Sequence, residues 1–83
     1  MLDKLIASYG IGSHIDKENN KRYYHIYMVS TSDRKIFFCE DGTWSEDINN
    51  RAITEDFIFA NEVLCEALDT EEKREAIEAA LLF

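Results

Sequence analysis

The sequence predicts an α+β domain in which an antiparallel three- to four-stranded meander packs against C-terminal helix, with a short N-terminal helix alongside. Two observations carry this. Residues 22 to 40 hold two runs rich in aromatic and branched side chains, RYYHIYMVS and IFFCE, separated by the turn-forming TSDRK and followed by the hairpin signal Asp41-Gly42. From Thr54 onward the hydrophobic spacing lengthens from two residues to about 3.6, the period of a helix.

In chain order, Leu2, Leu5, Ile6 and Tyr9 follow helical spacing and Gly10 stands where a C-cap would be, which predicts a short N-terminal helix. Ile11 to Ile15 reads as a first strand, and the polar run 16 to 21 as a turn. In the strand 22–30, Tyr23, His25, Tyr27 and Val29 share one face and Tyr24, Ile26 and Met28 the other. Ile36 to Glu40 forms the next strand, and Asp41-Gly42 leads into Thr43-Trp44-Ser45. Trp44, the only tryptophan, is expected to pack on the main helix and close one end of the core. Thr54 is an N-cap candidate followed by acids suited to a first turn, and Phe57, Ala60, Leu64, Ala67 and Leu68 form an apolar face. Asp69 and Glu72 resemble a capping box opening a second helix that carries Ala76, Ile77, Ala80 and Leu81; one kinked helix and a helical hairpin both fit.

Eighty-three residues with no proline and three glycines predict one compact domain over residues 1–83. Such a domain buries only about 60% of the surface its unfolded chain exposes, so a homodimer or a partner is a natural supplement. With no run of about 18 apolar residues and with Asp3 and Lys4 near the start, a cytoplasmic protein without membrane attachment is expected. The net charge of −8 is unevenly placed. Residues 1 to 45 hold six acids and six bases, whereas residues 46 to 83 hold eleven acids against Arg51, Lys73 and Arg74. A direct nucleic-acid binder carries the opposite sign, so a basic protein surface is the favoured partner.

No arrangement of residues signals catalysis, so the expectation is a protein that is not an enzyme and uses no cofactor. His14, His25, Cys39 and Cys65 are zinc-ligand types without the paired spacing of zinc sites, and no metal is expected. Cys39 and Cys65 lie among apolar residues and read as buried, reduced thiols. His25, among strand aromatics, reads as a hydrogen-bonded structural histidine. Gly10-Ile11-Gly12-Ser13 lacks the lysine of a phosphate loop.

The main helix carries the sharper signal. Glu55, Glu62, Glu66 and Asp69 fall on one stripe opposite Phe57, Leu64 and Leu68, with Phe59 within the stripe and Ile58 and Cys65 along its edge. Either another layer covers Phe59, or Phe59 anchors a partner. Glu46 and Asp47, just after Trp44, are expected to extend this acidic surface. Carboxylates at i and i+4 lie about 6 Å apart, a spacing comparable with successive phosphates, so the ridge can present a DNA-like array to a basic groove. The alternative is a homodimer burying Ile58, Phe59 and Leu81-Leu82-Phe83.

The run FFCEDGTWSEDINNRAITEDFIFANEVLCEAL, residues 37 to 68, resembles a pattern in small bacteriophage-encoded accessory proteins: a strand, an Asp-Gly turn, W-[ST]-x-D-[IL], a few residues to Ala, then a helix opened by Thr or Ser and acids. Trp44, Ser45, Asp47, Ile48, Ala52 and Thr54 match it, while Ile53 stands where that pattern usually has Phe. Proteins of this kind, size and acidity include inhibitors of host defence, among them anti-CRISPR and anti-restriction proteins. The resemblance implies a phage origin and an inhibitor of a host nucleic-acid-handling defence protein, and carries over no functional residue.

Overall fold

The computed structural model describes residues 5–82. Four antiparallel strands, β1 (Ile6–Asp16), β2 (Lys21–Ser30), β3 (Lys35–Phe38) and β4 (Trp44–Ser45), form a meander in the order β1-β2-β3-β4. Two helices, α1 (Phe57–Ala67) and α2 (Glu71–Leu82), lie on one face of it, α1 over β1 and β2 and α2 over β3 and β4. The chain is α+β, with two separate helices rather than one kinked rod.

The N-terminal helix is not formed where the described residues begin. Ile6 to Tyr9 belong to β1, and Leu2 lies outside the described residues. The helical spacing of Leu5, Ile6 and Tyr9 is overridden by pairing: β1 runs the length of β2, with Tyr9 opposite Met28, Ile11 opposite Ile26 and His14 opposite Tyr23. A bulge between Ile6 and Ser8 keeps both Ile6 and Ile11 against the core. Gly10 is no helix cap, and the glycines of β1 answer close approach instead. A Cβ on Gly10 would lie 3.0 Å from the Tyr27 hydroxyl, and one on Gly12 would lie 2.5 Å from His25 Nε2. Both rings lie across β1 where these residues have no side chain.

The turns follow their local chemistry. Asp16 accepts from the Glu18 amide (3.0 Å) and from Asn19 (2.8 Å), and Asn20 takes a positive φ of 54°. The buried Ser30 hydroxyl accepts from the amides of Ser32 and Arg34, closing the β2–β3 turn. At Asp41-Gly42, Gly42 adopts φ 86°, a conformation that favours glycine, and Asp41 accepts from the Thr43 amide at 3.0 Å.

The core is Ile26 and Met28 of β2, Ile36 of β3, Leu64 of α1, and Ile77 and Leu81 of α2. Trp44 is half-buried against this cluster, edge-on to Phe38 with centroids 5.4 Å apart, and lines clefts with Val63 and Ala67 of α1 and Ala76, Ala79 and Ala80 of α2. It closes the core between the two helices.

The chain then returns to the sheet through a short 3-10 turn, Ile48–Asn50, capped by Asp47. The Ala52 amide donates to the Phe38 carbonyl (2.8 Å), and Thr54 exchanges two backbone hydrogen bonds with Tyr24. Because the Thr54 backbone is committed to Tyr24, the helix opens two residues later than its sequence suggests. Asp56 is the N-cap and accepts from the amides of Ile58 and Phe59. The second cap also shifts by one, with the Thr70 hydroxyl accepting from the Lys73 amide (3.2 Å) in place of the Asp69 and Glu72 pair.

Candidate partner-binding surface

The phase of α1 decides what it shows. Ala60 and Leu64 are buried and Val63 and Ala67 half-buried, so at about 100° per residue Ile58, Glu62 and Cys65 point directly outward. Ile58 is 71% exposed, the most exposed of the large hydrophobic residues among the described residues. It occupies the centre of the outward face rather than its edge. Phe59, 53% exposed, sits on the flank and lines an apolar cleft with Tyr24, Ile26, Phe38, Ile53 and Val63. Among the described residues no second layer covers either side chain. Phe57 does not join the core face: it is 51% exposed, overhanging the sheet with its ring edge-on to Tyr24.

Glu55, Glu62, Glu66 and Asp69 are all exposed, as expected. Glu62 and Glu66 are successive turns of α1, and Asp69 lies in the link to α2. Glu55 precedes the helix and pairs with Lys21 of β2 at 3.4 Å. Its charge is therefore partly answered within the chain, whereas Glu62 and Glu66 form no ion pair among the described residues.

Glu46 and Asp47 are placed differently from the expectation. Glu46 pairs with Arg34 and lines a cleft with Trp44, Ala79 and Ala80, beside α2. The Asp47 carboxylate accepts from the Asn49 amide at 2.9 Å to cap the 3-10 turn. Both have structural partners that sequence spacing did not reveal. Leu81 is likewise buried in its own core, leaving Leu82 exposed; Phe83 lies outside the described residues.

Sequence reasoning missed Ile53. It is 44% exposed beside Phe59 in the same cleft, and with Phe57, Ile58 and Phe59 it makes an exposed apolar segment at the start of α1, in which the three helical residues point about 100° apart around the axis. Glu55, Asp56 and Glu62 are interleaved with it or follow it in sequence, and all three are exposed. The visible signal was the run ITEDFIF itself, too apolar for a helix that covers a sheet with one face.

The opposite face of the sheet is aromatic and weakly basic. His25 packs edge-on to Phe37 and lies beside Tyr27, while His14 stacks on Tyr23 and meets the Arg51 guanidinium at 3.3 Å. Burial, together with the cations Arg51 and Lys35, holds the His25 imidazole below the usual histidine range. The expected hydrogen bond is not made: His25 Nδ1 is buried without a partner among the described residues. Cys39 is buried as expected, but Cys65 is exposed on the outward face of α1, and both are free thiols. No three His, Cys, Asp or Glu side chains converge on a metal-sized site among the described residues, and no described helix is long and apolar enough to cross a membrane.

Comparison of the chain with protein-family models, with curated proteins and with solved structures found no match.

Proposed function

We propose that this protein is a non-enzymatic binding protein that docks the start of α1 into a basic, nucleic-acid-binding groove of another protein, inhibiting it. The single observation behind this reading is that Ile53, Phe57, Ile58 and Phe59, four of the eight exposed large hydrophobic residues among the described residues, are gathered within seven positions beside exposed carboxylates. Desolvated anchors rimmed by one sign of charge are how an interface combines affinity with fast, selective encounter. Ile58 is the central anchor and Phe59 the flanking one. Glu62, Glu66 and Asp69 supply the charge, with Glu55 contributing once Lys21 releases it. Glu46 and Asp47 have no part in the site. The resemblance of residues 37 to 68 to phage accessory proteins points to a host defence protein of CRISPR or restriction type as the target, met in the host cytosol.

The test is capture of the target from host lysate by the tagged protein, followed by competition with duplex DNA or RNA on the purified pair. Ile58→Asp should weaken the complex about 30-fold, the effect of about 2 kcal/mol at a hot spot. Glu62→Lys with Glu66→Lys should abolish its salt sensitivity, and nucleic acid should displace the protein. A complex indifferent to the double charge reversal and to nucleic acid would remove the mechanism.

A further inference from the structure

The two edges of the sheet are built in opposite ways. At one, β4 is two residues long and is followed at once by Glu46 and Asp47, devices that discourage strand addition. At the other, β1 is eleven residues long, about 37 Å of edge, and its only such devices lie at its ends, a bulge near Ile6 and the charge of Asp16. From Leu5 to Ile15 there is no Asp, Glu, Lys or Arg, in a chain where charged residues make up 31%. Its one bulge lies at the N-terminal end, between Ile6 and Ser8, leaving the rest regular. Among the described residues β1 pairs only with β2.

We infer that β1 pairs antiparallel with β1 of a second copy, about a two-fold axis through Ile11, giving a continuous eight-stranded sheet. Ile11 is the midpoint of the strand, so this register uses its whole length, and it sets residues of one face opposite residues of the same face. On the helix side Tyr9 comes opposite the second copy's Ser13 and diagonal to its Ile15. These are the two exposed large hydrophobic residues of the strand, 52% and 53% accessible. On the other side Gly12 comes opposite the second copy's Gly10. His25 lies over Gly12 and the Tyr27 hydroxyl over Gly10, so each His25 ring stands beside the second copy's Tyr27 hydroxyl, about one strand spacing away. A direct or water-bridged hydrogen bond there would use His25 Nε2, the nitrogen that lies over Gly12.

Charge favours a second copy over a foreign strand. Two chains of net charge −8 repel wherever their acids approach, and this uncharged edge is where they can meet. β1 itself offers a charged partner no complement between Leu5 and Ile15, and the cations that reach it are Arg22 of β2, whose guanidinium donates to the Ser13 hydroxyl at 3.0 Å, and Arg51, at the His14 ring.

Sedimentation equilibrium of the full chain tests this, with dimer expected at about 100 µM or below, an ordinary affinity for a modest interface. Tyr9→Lys with Ile15→Lys alters two exposed positions and should raise the dissociation constant at least about tenfold, because like charges then lie diagonal across the axis. Mixing this variant with Tyr9→Glu and Ile15→Glu should restore a one-to-one heterodimer, which a misfolded variant could not do. Ile58→Asp should leave dimerisation unchanged, separating this result from the binding role of α1. A wild-type monomer at that concentration, a Lys variant that still dimerises as the wild type does, or failure of the mixed pair would each overturn the pairing.

Discussion

Replacing Arg34 by Met should undock the end of α2. The guanidinium donates to the Leu81 carbonyl at 2.6 Å and pairs with Glu46, while the last turn of α2 contains no basic residue of its own. Arg34 therefore supplies, from the β2–β3 turn, the cation a helix C-terminus favours. Three contributions add. A hydrogen bond to a charged group contributes about 1.5–3 kcal/mol, here taken near 1 because Leu82 beside it is exposed and water can replace the donor. The dipole contributes about 0.3–1 kcal/mol. The Glu46 pair, with side chains 27% and 57% accessible, belongs to the screened class at about 0.2–1 kcal/mol. The total is about 2 kcal/mol. For a domain of this size that is a fall in Tm of about 8–16 °C. Glu46→Gln alone should lower Tm by no more than about 8 °C and lose its effect in high salt, whereas most of the Arg34→Met effect should persist. Paired melts at low and high salt measure both. An Arg34→Met protein within about 0.5 kcal/mol of wild type would refute the reasoning, since that is the scatter of unengaged surface positions.

Two further perturbations probe the sheet. Gly12→Ala places a methyl 2.5 Å from His25 Nε2 and should destabilise by about 1–3 kcal/mol through overpacking, offset by up to about 1 kcal/mol of chain entropy; adding His25→Ala should remove the clash, and a Gly12→Ala single variant as stable as wild type would mean the ring does not lie over β1. Because burial lowers the His25 pKa, the unfolded chain binds its proton first as pH falls: the contribution is complete above about 6.5 and is lost as pH drops toward the folded value. Urea titrations should show stability declining below that point, less steeply in His25→Phe.

What the sequence made legible was local. The strand 22–30, the Asp41-Gly42 hairpin and the plug role of Trp44 follow from side-chain type and adjacent turn residues, and the structure keeps all three. What it hid depends on partners distant in the chain. Ile6 and Tyr9 sit at helical spacing, and only pairing with residues 22–30 makes them a strand. Phe57 fits the core face when the helix is phased through it, but its ring stands edge-on to Tyr24 and stays 51% exposed; Ala60 and Leu64 set the true phase and turn Ile58 outward. Glu46 looked like part of an acidic surface because its cation lies twelve residues back, at Arg34. Four of the candidate residues, Glu55, Glu62, Glu66 and Asp69, are on the surface where periodicity put them. The most exposed apolar side chain of α1 is Ile58, at 71%, against 53% for Phe59.

The two proposed surfaces make opposite demands on salt, and this separates them without mutation. Pairing through β1 about an axis perpendicular to the sheet leaves both helical layers on one side, with α1 of each copy over the strands nearest the axis. The acids of the two copies then form one extended surface. Assembly brings together two chains of charge −8, so added salt should strengthen the dimer, because screening at a Debye length of about 8 Å removes repulsion and costs an uncharged edge nothing. Binding of α1 to a basic groove is attractive at long range, and salt should weaken it. A dimer offering two linked α1 surfaces also gains avidity on a target with two grooves within reach. Raising salt from about 50 to about 500 mM shortens the Debye length from roughly 14 to 4 Å, and over that range the dimer fraction and the target occupancy should move in opposite directions. If both fall together, the dimer is held by charge, and the uncharged edge of β1 is not its interface.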